Sequence, residues 1–163
     1  MHRSIGRFAV ARASALALAV AFAAVAGCDR SAPGAGTPEE VVTRYLGALK
    51  SGNYSAAYDL LSPFMVREQG KVAWVAEQTA LMNLAAVEIL SFEVFPAKPD
   101  GDKAVVPNLL ISKDKYINQT GANEYELYFL SRGPDGGWRI DQQQLVETDA
   151  VANWFPERVR ERR

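Results

Sequence analysis

The spacing of apolar residues changes at Val87, and this change limits the possible folds more than any other feature. From residue 37 to residue 84, apolar residues recur three or four positions apart, as on one face of a helix. After Val87 they alternate with polar residues, and aromatic and β-branched residues become frequent, which is typical of strands. Helices followed by an antiparallel meander predict an α+β domain. We expect N-terminal helices packed on a curved antiparallel sheet of about four strands.

Three helices are predicted before Val87. The first begins at a capping box, in which Thr37 and Glu40 can each bond the backbone amide of the other and Pro38 occupies the first helical position. A second, short helix is expected from about residue 53 to residue 61. The third covers residues 71–84, with Trp74 beside its apolar stripe. That stripe, at helical spacing, consists of Val72, Val75, Thr79 and Met82.

Four strands are predicted after Val87, at residues 87–97, 104–112, 125–130 and 138–145. Glycine- and proline-rich turns separate the first strand from the second, at residues 98–102, and the third from the fourth, at residues 133–137. Pro107 lies within the second predicted strand. Because proline has no N–H to donate to a neighbouring strand, we expect a sheet edge or a bulge at this position.

The first 27 residues have the layout of an export signal. Arg3, Arg7 and Arg12 precede an apolar run at residues 13–26. This run is shorter than the roughly 20 residues that a helix needs to cross a bilayer. We therefore expect residues 1–27 to be a cleaved signal peptide.

The residues around the cleavage site indicate a lipid anchor. Residues 25–28, Val-Ala-Gly-Cys, resemble a bacterial lipobox, and the resemblance implies cleavage after Gly27 and acylation of Cys28. The alternative is an ordinary signal whose cleavage site lies next to a cysteine. The lipobox predicts a protein of the bacterial cell envelope, anchored in the membrane through Cys28 and facing the periplasm or the exterior. Asp29 resembles the inner-membrane retention signal of enterobacterial lipoproteins, which favours that membrane.

The chain divides into four predicted segments. They are the signal peptide (residues 1–27), the lipidated Cys28 with a flexible tether (28–36), the α+β domain (37–148) and a charged tail (149–163). The signal holds three arginines and no acidic residue, so its removal changes the formal net charge from −1 to −4. A negative chain argues against nucleic-acid binding.

Histidine and cysteine are almost absent. His2 is the only histidine and is removed with the signal, and Cys28 is the only cysteine. Serine–histidine and cysteine–histidine nucleophiles are therefore excluded from the mature domain, as are typical zinc sites. We expect no metal and no cofactor.

The chain resembles the nuclear transport factor 2-like superfamily, which includes ketosteroid isomerase-like and SnoaL-like proteins. The resemblance rests on TPEEVVTRYLGAL at residues 37–49, SGNYSAAYDLL at residues 51–61 and GWRI at residues 137–140. It implies three helices on a strongly bent sheet that form a cone with a pocket at the open end. Isomerases of this family use a carboxylate base with a tyrosine and a protonated acid. Tyr58, Asp59 and Asp141 do not match that motif, so no catalytic residue is expected.

The residues expected to line the pocket are mostly aromatic. Those expected to face the inside of the cone are Tyr58, Trp74, Phe92, Tyr125, Phe129 and Trp138. Gln142 and Gln144 join them if they share the face of Trp138, whereas the opposite register turns Asp141 and Gln143 inward. Alternatively, the aromatic residues fill a core and leave no pocket.

These patterns favour a non-enzymatic, lipid-anchored binding or scaffolding module of the cell envelope, with an envelope protein as its partner. The alternative is a pocket for a small apolar ligand, with or without isomerase-like acid/base chemistry. The family resemblance also allows a homodimer through the outer face of the sheet. The arginines of residues 158–163 either contact anionic lipid headgroups or are solvated.

Overall fold

The computed structural model describes residues 33–156. Its elements, in chain order, are α1 (Pro38–Lys50), α2 (Tyr54–Tyr58), α3 (Lys71–Ala85), β1 (Glu88–Val94), β2 (Lys98–Asp100), β3 (Lys103–Lys113), β4 (Ala122–Arg132), β5 (Trp138–Leu145) and α4 (Val151–Trp154). The expected α+β class is confirmed. The predicted signal peptide, Cys28 and residues 157–163 of the tail lie outside the described residues. No helix within residues 33–156 is both long and apolar enough to cross a membrane.

The described part of the sheet is antiparallel and has five strands in place of the expected four. Its order is β1-β3-β4-β5, and β2 pairs with the first residues of β3, beyond the end of β1. The additional strand β2 lies in residues that were predicted as a turn. The reversal is confined to Gly101 and Asp102, and Gly101 has a φ of 58°, which glycine adopts without strain.

Pro107 lies in the interior strand β3, and the expected irregularity is found on one side of it, where residues 95–97 separate β1 from β2. It pairs with Leu127 in a continuous register, and its carbonyl accepts the amide of Phe95 at 2.9 Å. A strand residue presents its N–H and C=O to the same side. The missing N–H therefore points to the gap between the end of β1, at Val94, and the start of β2, at Lys98, where no strand needs a donor.

The core lies between α1 and one face of the sheet, which we call the inner face. The predicted capping box is present, with the Thr37 amide donating to Glu40 Oε2 at 2.9 Å and the Glu40 amide donating to Thr37 Oγ1 at 3.3 Å. The helix that begins there buries Tyr45 against Tyr128 of β4, with the two rings edge to face and 5.7 Å between their centroids. Both tyrosines are buried, so the centre of the cone is filled by side chains.

The third helix turns a different face inward from the one expected. Trp74 is its only buried residue, whereas Val72 of the predicted stripe is 86% exposed. Trp74 packs edge to face on Tyr58 of α2, with 5.7 Å between the ring centroids. The helix contacts the domain mainly through α2, so one large aromatic side chain decides which face is buried.

Both ends of the described chain are packed against the domain. The segment expected as a flexible tether is fixed from Pro33 onward, because Gly34 is buried and its carbonyl accepts the Trp138 amide at 2.8 Å. At the other end, Phe155 lies in the segment predicted as a charged tail and is only 1% exposed. Its ring contacts Tyr125, on the face of the sheet opposite the helices, at a centroid distance of 4.8 Å. We call that face the outer face.

Candidate functional site

The last strand changes face at a β-bulge. One extra residue, Asp141, interrupts the pairing of β5 with β4. An extra residue moves every following side chain to the other face of the sheet. Trp138 and Ile140, before the bulge, and Gln143, after it, therefore all lie on the inner face. The Gln143 amide confirms this placement, because its Nε2 donates to Glu126 Oε1 at 2.6 Å.

A glutamate is buried on the inner face beside Gln143. Glu126 is only 1% exposed, and its Oε2 accepts from Asn108 Nδ2 at 3.0 Å and from the Tyr128 hydroxyl at 3.4 Å. Asn108 is fully buried, and its Oδ1 has no hydrogen-bond partner among the described residues. A buried acceptor without a donor is uncommon in folded proteins.

The surroundings of Glu126 favour its protonated form. Burial raises the pKa of Glu126, and the hydrogen bonds from Asn108 and Gln143 oppose that rise without cancelling it. Burial also raises the pKa of Tyr45 and of Tyr128, and the negative charge of Glu126 adds to both increases. The inner face thus holds one carboxyl group that retains its proton more readily than usual, beside two phenols that stay neutral.

A cavity of about 330 Å³ opens on the same side of the domain, bounded by α3, by the segment that leads to it and by β5. Trp74 and Leu61 contribute apolar surface. Glu126 does not line the cavity, but Gln143 contacts both. The polar side chains that line the cavity are Tyr45, Arg67, Gln69, Glu77, Gln78 and Gln143. This lining is more polar than the apolar pocket expected from the sequence, and we call the cavity the polar pocket.

One wall of the polar pocket has a strained backbone. Arg67 and Glu68 are consecutive and have φ values of 52° and 57°, a backbone conformation that residues other than glycine rarely adopt. Hydrogen bonds hold this wall, from the Glu68 amide to the Pro63 carbonyl at 2.9 Å and from the Tyr58 hydroxyl to the Gln69 carbonyl at 2.7 Å. Strain of this kind costs on the order of 1–3 kcal/mol per residue and is concentrated at functional sites.

The aromatic residues expected to line one pocket are divided among three places. Trp74 lines the polar pocket and Tyr58 packs behind it. Trp138 is buried in the core, with the Arg132 guanidinium 4.3 Å from its ring centroid. Phe92 packs against the core from β1. Tyr125 and Phe129 are on the outer face, because they alternate with the inward-facing Tyr128.

Gln142 and Gln144 do not point into the cone. Both lie on the outer face, because the bulge at Asp141 reverses the alternation that was extrapolated from Trp138. All three glutamines are exposed, so the register and the contact with Glu126 are what distinguish Gln143 from its neighbours. Gln143 is the inward-facing amide. The alternative register would have placed Gln143 correctly, but it also turned Asp141 inward, and it assumed a strand without a bulge.

Sequence reasoning missed Tyr45 and Glu126 as site residues. Tyr45 was assigned only to the apolar face of the first helix. In the predicted strand, Glu126 and Tyr128 share one face, and Tyr125 and Phe129 share the other. Since each face carries aromatic residues, the pattern does not show which face is buried. The signal that could have identified Glu126 is that both faces of this strand are apolar, so a charged residue on either face is a candidate for burial.

Comparisons with known proteins identify the fold. No protein-family model and no curated protein matches the chain. A ketosteroid isomerase-like protein from Erwinia carotovora atroseptica aligns at a TM-score of 0.51 and 17% identity, covering 67% of this chain and 93% of the other. The two chains share their fold. A putative ketosteroid isomerase from Shewanella frigidimarina aligns at a TM-score of 0.50 and 17% identity, covering 72% of this chain and 96% of the other.

A third structure gives the same architecture without an activity in its name. It is a domain of unknown function with a cystatin-like fold from Nostoc punctiforme, at a TM-score of 0.51 and 12% identity, covering 77% of this chain and 88% of the other. These identities are low, so the similarity shows the fold alone. The function has to be argued from the site.

Proposed function

We propose that the mature chain is a lipid-anchored module of the bacterial cell envelope that binds a small polar molecule in the polar pocket. The anchor is supported by the sequence, namely the apolar run and the lipobox ending at Cys28. The observation that carries the binding role is the Gln143 amide, which lines the pocket and is held by the buried carboxyl group of Glu126. A side-chain amide fixed in this way is preorganised for a ligand, because its orientation is set before the ligand arrives.

The lining indicates the chemistry of the ligand. Glutamine side chains offer both donors and acceptors, and the polar pocket has three of them, at Gln69, Gln78 and Gln143. Arg67 and Glu77 bring opposite charges to the same lining, so the pocket has no excess charge to attract an ion. Trp74 supplies a flat apolar surface. The best fit is an uncharged molecule with several hydroxyl or amide groups and one apolar face.

Binding can be tested before the ligand is identified. Native mass spectrometry of the mature protein, purified from its own cells in mild detergent, should show a bound small molecule. The variant Gln143→Leu should lose that mass. Gln142→Leu is the matched control, because the same substitution one residue earlier lies on the outer face and should retain the ligand. Retention by both variants would reject the polar pocket as the site.

The same spectra test the two protein partners expected from the sequence. A second copy of the chain would double the mass, and an envelope protein would add a mass of its own. Phe155 covers part of the outer face around Tyr125, which leaves less of that face for a second copy. We therefore expect the small-molecule complex to predominate.

The lipid anchor has its own test. Cys28→Ser should abolish metabolic labelling of the protein by a fatty-acid probe, because the thiol at residue 28 is the acceptor of the diacylglyceryl group. Persistent labelling of this variant would reject the lipobox. Fractionation of the labelled wild-type protein between inner and outer membranes would then test the retention signal at Asp29.

A second candidate, isomerase-like acid/base chemistry, is favoured by the raised pKa of Glu126 and by the hydrogen bond that it accepts from the Tyr128 hydroxyl. It requires the Gln143 side chain to move aside, because Glu126 is buried and does not itself line the polar pocket. Deuterium incorporation next to the carbonyl of a cyclic ketone would detect such proton transfer. The exchange should disappear in Glu126→Gln if the carboxyl group carries it. If the wild-type protein exchanges deuterium no faster than Glu126→Gln, this candidate is rejected and the binding role remains.

A further inference from the structure

The described chain is fixed to the domain at one end of β4. The Gly34 carbonyl accepts the amide of Trp138, which pairs with Arg132, the last residue of β4. The Arg44 guanidinium donates to the carbonyl of Pro33 at 3.0 Å, so the chain is held as soon as it enters the domain. Gly34 also lies so close to the Arg139 side chain that a Cβ there would collide with it. The chain therefore enters beside the turn that joins β4 to β5.

The position of Cys28 limits how far this end can lie from a membrane. Five residue steps separate Cys28 from Pro33, and a fully extended chain covers at most about 18 Å over that length. β4 has 11 residues and extends for about 34 Å. The loop at the other end of β4 contains Ile117, so with β4 directed away from the bilayer this loop lies well beyond the reach of the anchor.

The end next to the anchor has side chains suited to a lipid surface. Phe64 is 77% exposed, although a phenylalanine is normally buried. It borders a shallow concavity whose other wall includes Arg132, Pro134 and Arg139 from the β4–β5 turn region, together with Asp135 and Asp141. Arg139 is paired with Asp135 at 2.7 Å, so the two arginines and two aspartates leave this concavity without excess charge, and Phe64 is its main apolar side chain. Phenylalanine is one of the side chains that interfacial segments bury at the boundary of headgroups and acyl chains, and the apolar stems of arginine side chains can lie along the same boundary.

We propose that this surface, which consists of Phe64, Arg132, Pro134 and Arg139 and which we call the anchor-side surface, rests on the lipid headgroups with Phe64 inserted among them. The inference rests on the acylation of Cys28 in the proposed function. It orients the domain with the β4–β5 turn towards the bilayer and the loop around Ile117 away from it. Met65, next to Phe64, lines the polar pocket, so one side of that pocket lies near the headgroups.

The experiment uses the full mature lipoprotein, reconstituted in vesicles of phosphatidylethanolamine and phosphatidylglycerol. Because Cys28 is the only cysteine and its thiol is blocked by acylation, Phe64→Cys provides one free thiol for an environment-sensitive fluorophore. Ile117→Cys is the matched control, because Ile117 is also an exposed apolar residue, at 93%. We expect a severalfold rise in fluorescence at residue 64 on reconstitution, and strong quenching there by lipids that carry a nitroxide near the headgroup. Residue 117 should show neither.

The outcomes separate the two proposals. The intact mass of the protein before reconstitution shows whether Cys28 is acylated, and an unacylated product would refute the anchor together with this inference. If the protein is acylated, quenching at residue 117 that equals or exceeds the quenching at residue 64 overturns the orientation alone. An acylated protein in which neither site is quenched also overturns it, since Phe64 would then remain in water.

Discussion

Replacement of Glu126 by glutamine tests the buried carboxyl group through the pH dependence of stability. Burial raises the pKa of Glu126 above its usual value of 4.5, so the folded chain keeps a proton that the unfolded chain has already lost. The contribution of this proton to the free energy of unfolding is therefore complete below the pKa that Glu126 has in the unfolded chain. It is lost as the pH rises through the pKa that Glu126 has in the folded chain. One proton gives a slope of at most about 1.4 kcal/mol per pH unit.

Glutamine stays neutral at every pH, so Glu126→Gln should lack this slope. It also replaces an acceptor oxygen by a donor, which adds a cost of about 1–3 kcal/mol that does not depend on pH. The decisive quantity is therefore the change with pH. The free energy of unfolding of the variant minus that of the wild type should become more positive as the pH rises from about 4.5 and should level off above the folded pKa.

The measurement is urea denaturation of the mature chain with Cys28→Ser, followed by tryptophan fluorescence at a series of pH values. The three tryptophans report on the core, α3 and the C-terminal segment. Glu147→Gln is the control, because Glu147 is exposed and follows β5. A difference between Glu126→Gln and wild type that is constant with pH, or that becomes more negative as the pH rises, would refute the raised pKa and the proton-holding role.

Further substitutions test the packing of the two ends of the domain. Phe155→Ala should lower the free energy of unfolding by up to about 3 kcal/mol and expose the C-terminal segment to proteases, since the ring is buried against the sheet; an unchanged urea midpoint would contradict this. Gly34→Ala should destabilise by about 1–3 kcal/mol, because the new Cβ meets the Trp138 carbonyl, which is backbone and cannot swing away. Gly47→Ala is its counterpart: nothing lies near a Cβ at this helical position, so a gain of about 0.5–1 kcal/mol is expected in the same assay.

The polar pocket shows how one inserted residue can redirect a site. Without the bulge at Asp141, Gln142 would share the face of Ile140, and Gln143 would point to the outer face. The contact between Gln143 and Glu126 would then not exist. Binary patterning could not reveal this, because glutamine is tolerated on either face of an edge strand and the bulge has no glycine to mark it.

The sequence by itself determined the elements whose cause is local. The capping box at Thr37 starts α1, and the change of period at Val87 separates helices from strands. These features depend on side chains a few residues apart, which bond or align before the chain has a tertiary structure. The fold class followed from their order, because consecutive helices with an apolar face can bury that face against the antiparallel meander that follows them.

The tertiary structure alone decided which faces became the site. The inward placement of Gln143 depends on its register with β4, and the burial of Trp74 depends on where α2 presents Tyr58. Both faces of β4 are apolar, so its sequence does not show which face packs against the helices. Only the position of α1 on one face and of Phe155 on the other shows that Glu126 lies on the helix-covered face. Contacts of this kind join residues far apart in the chain, and their geometry is set by packing, which no local pattern encodes.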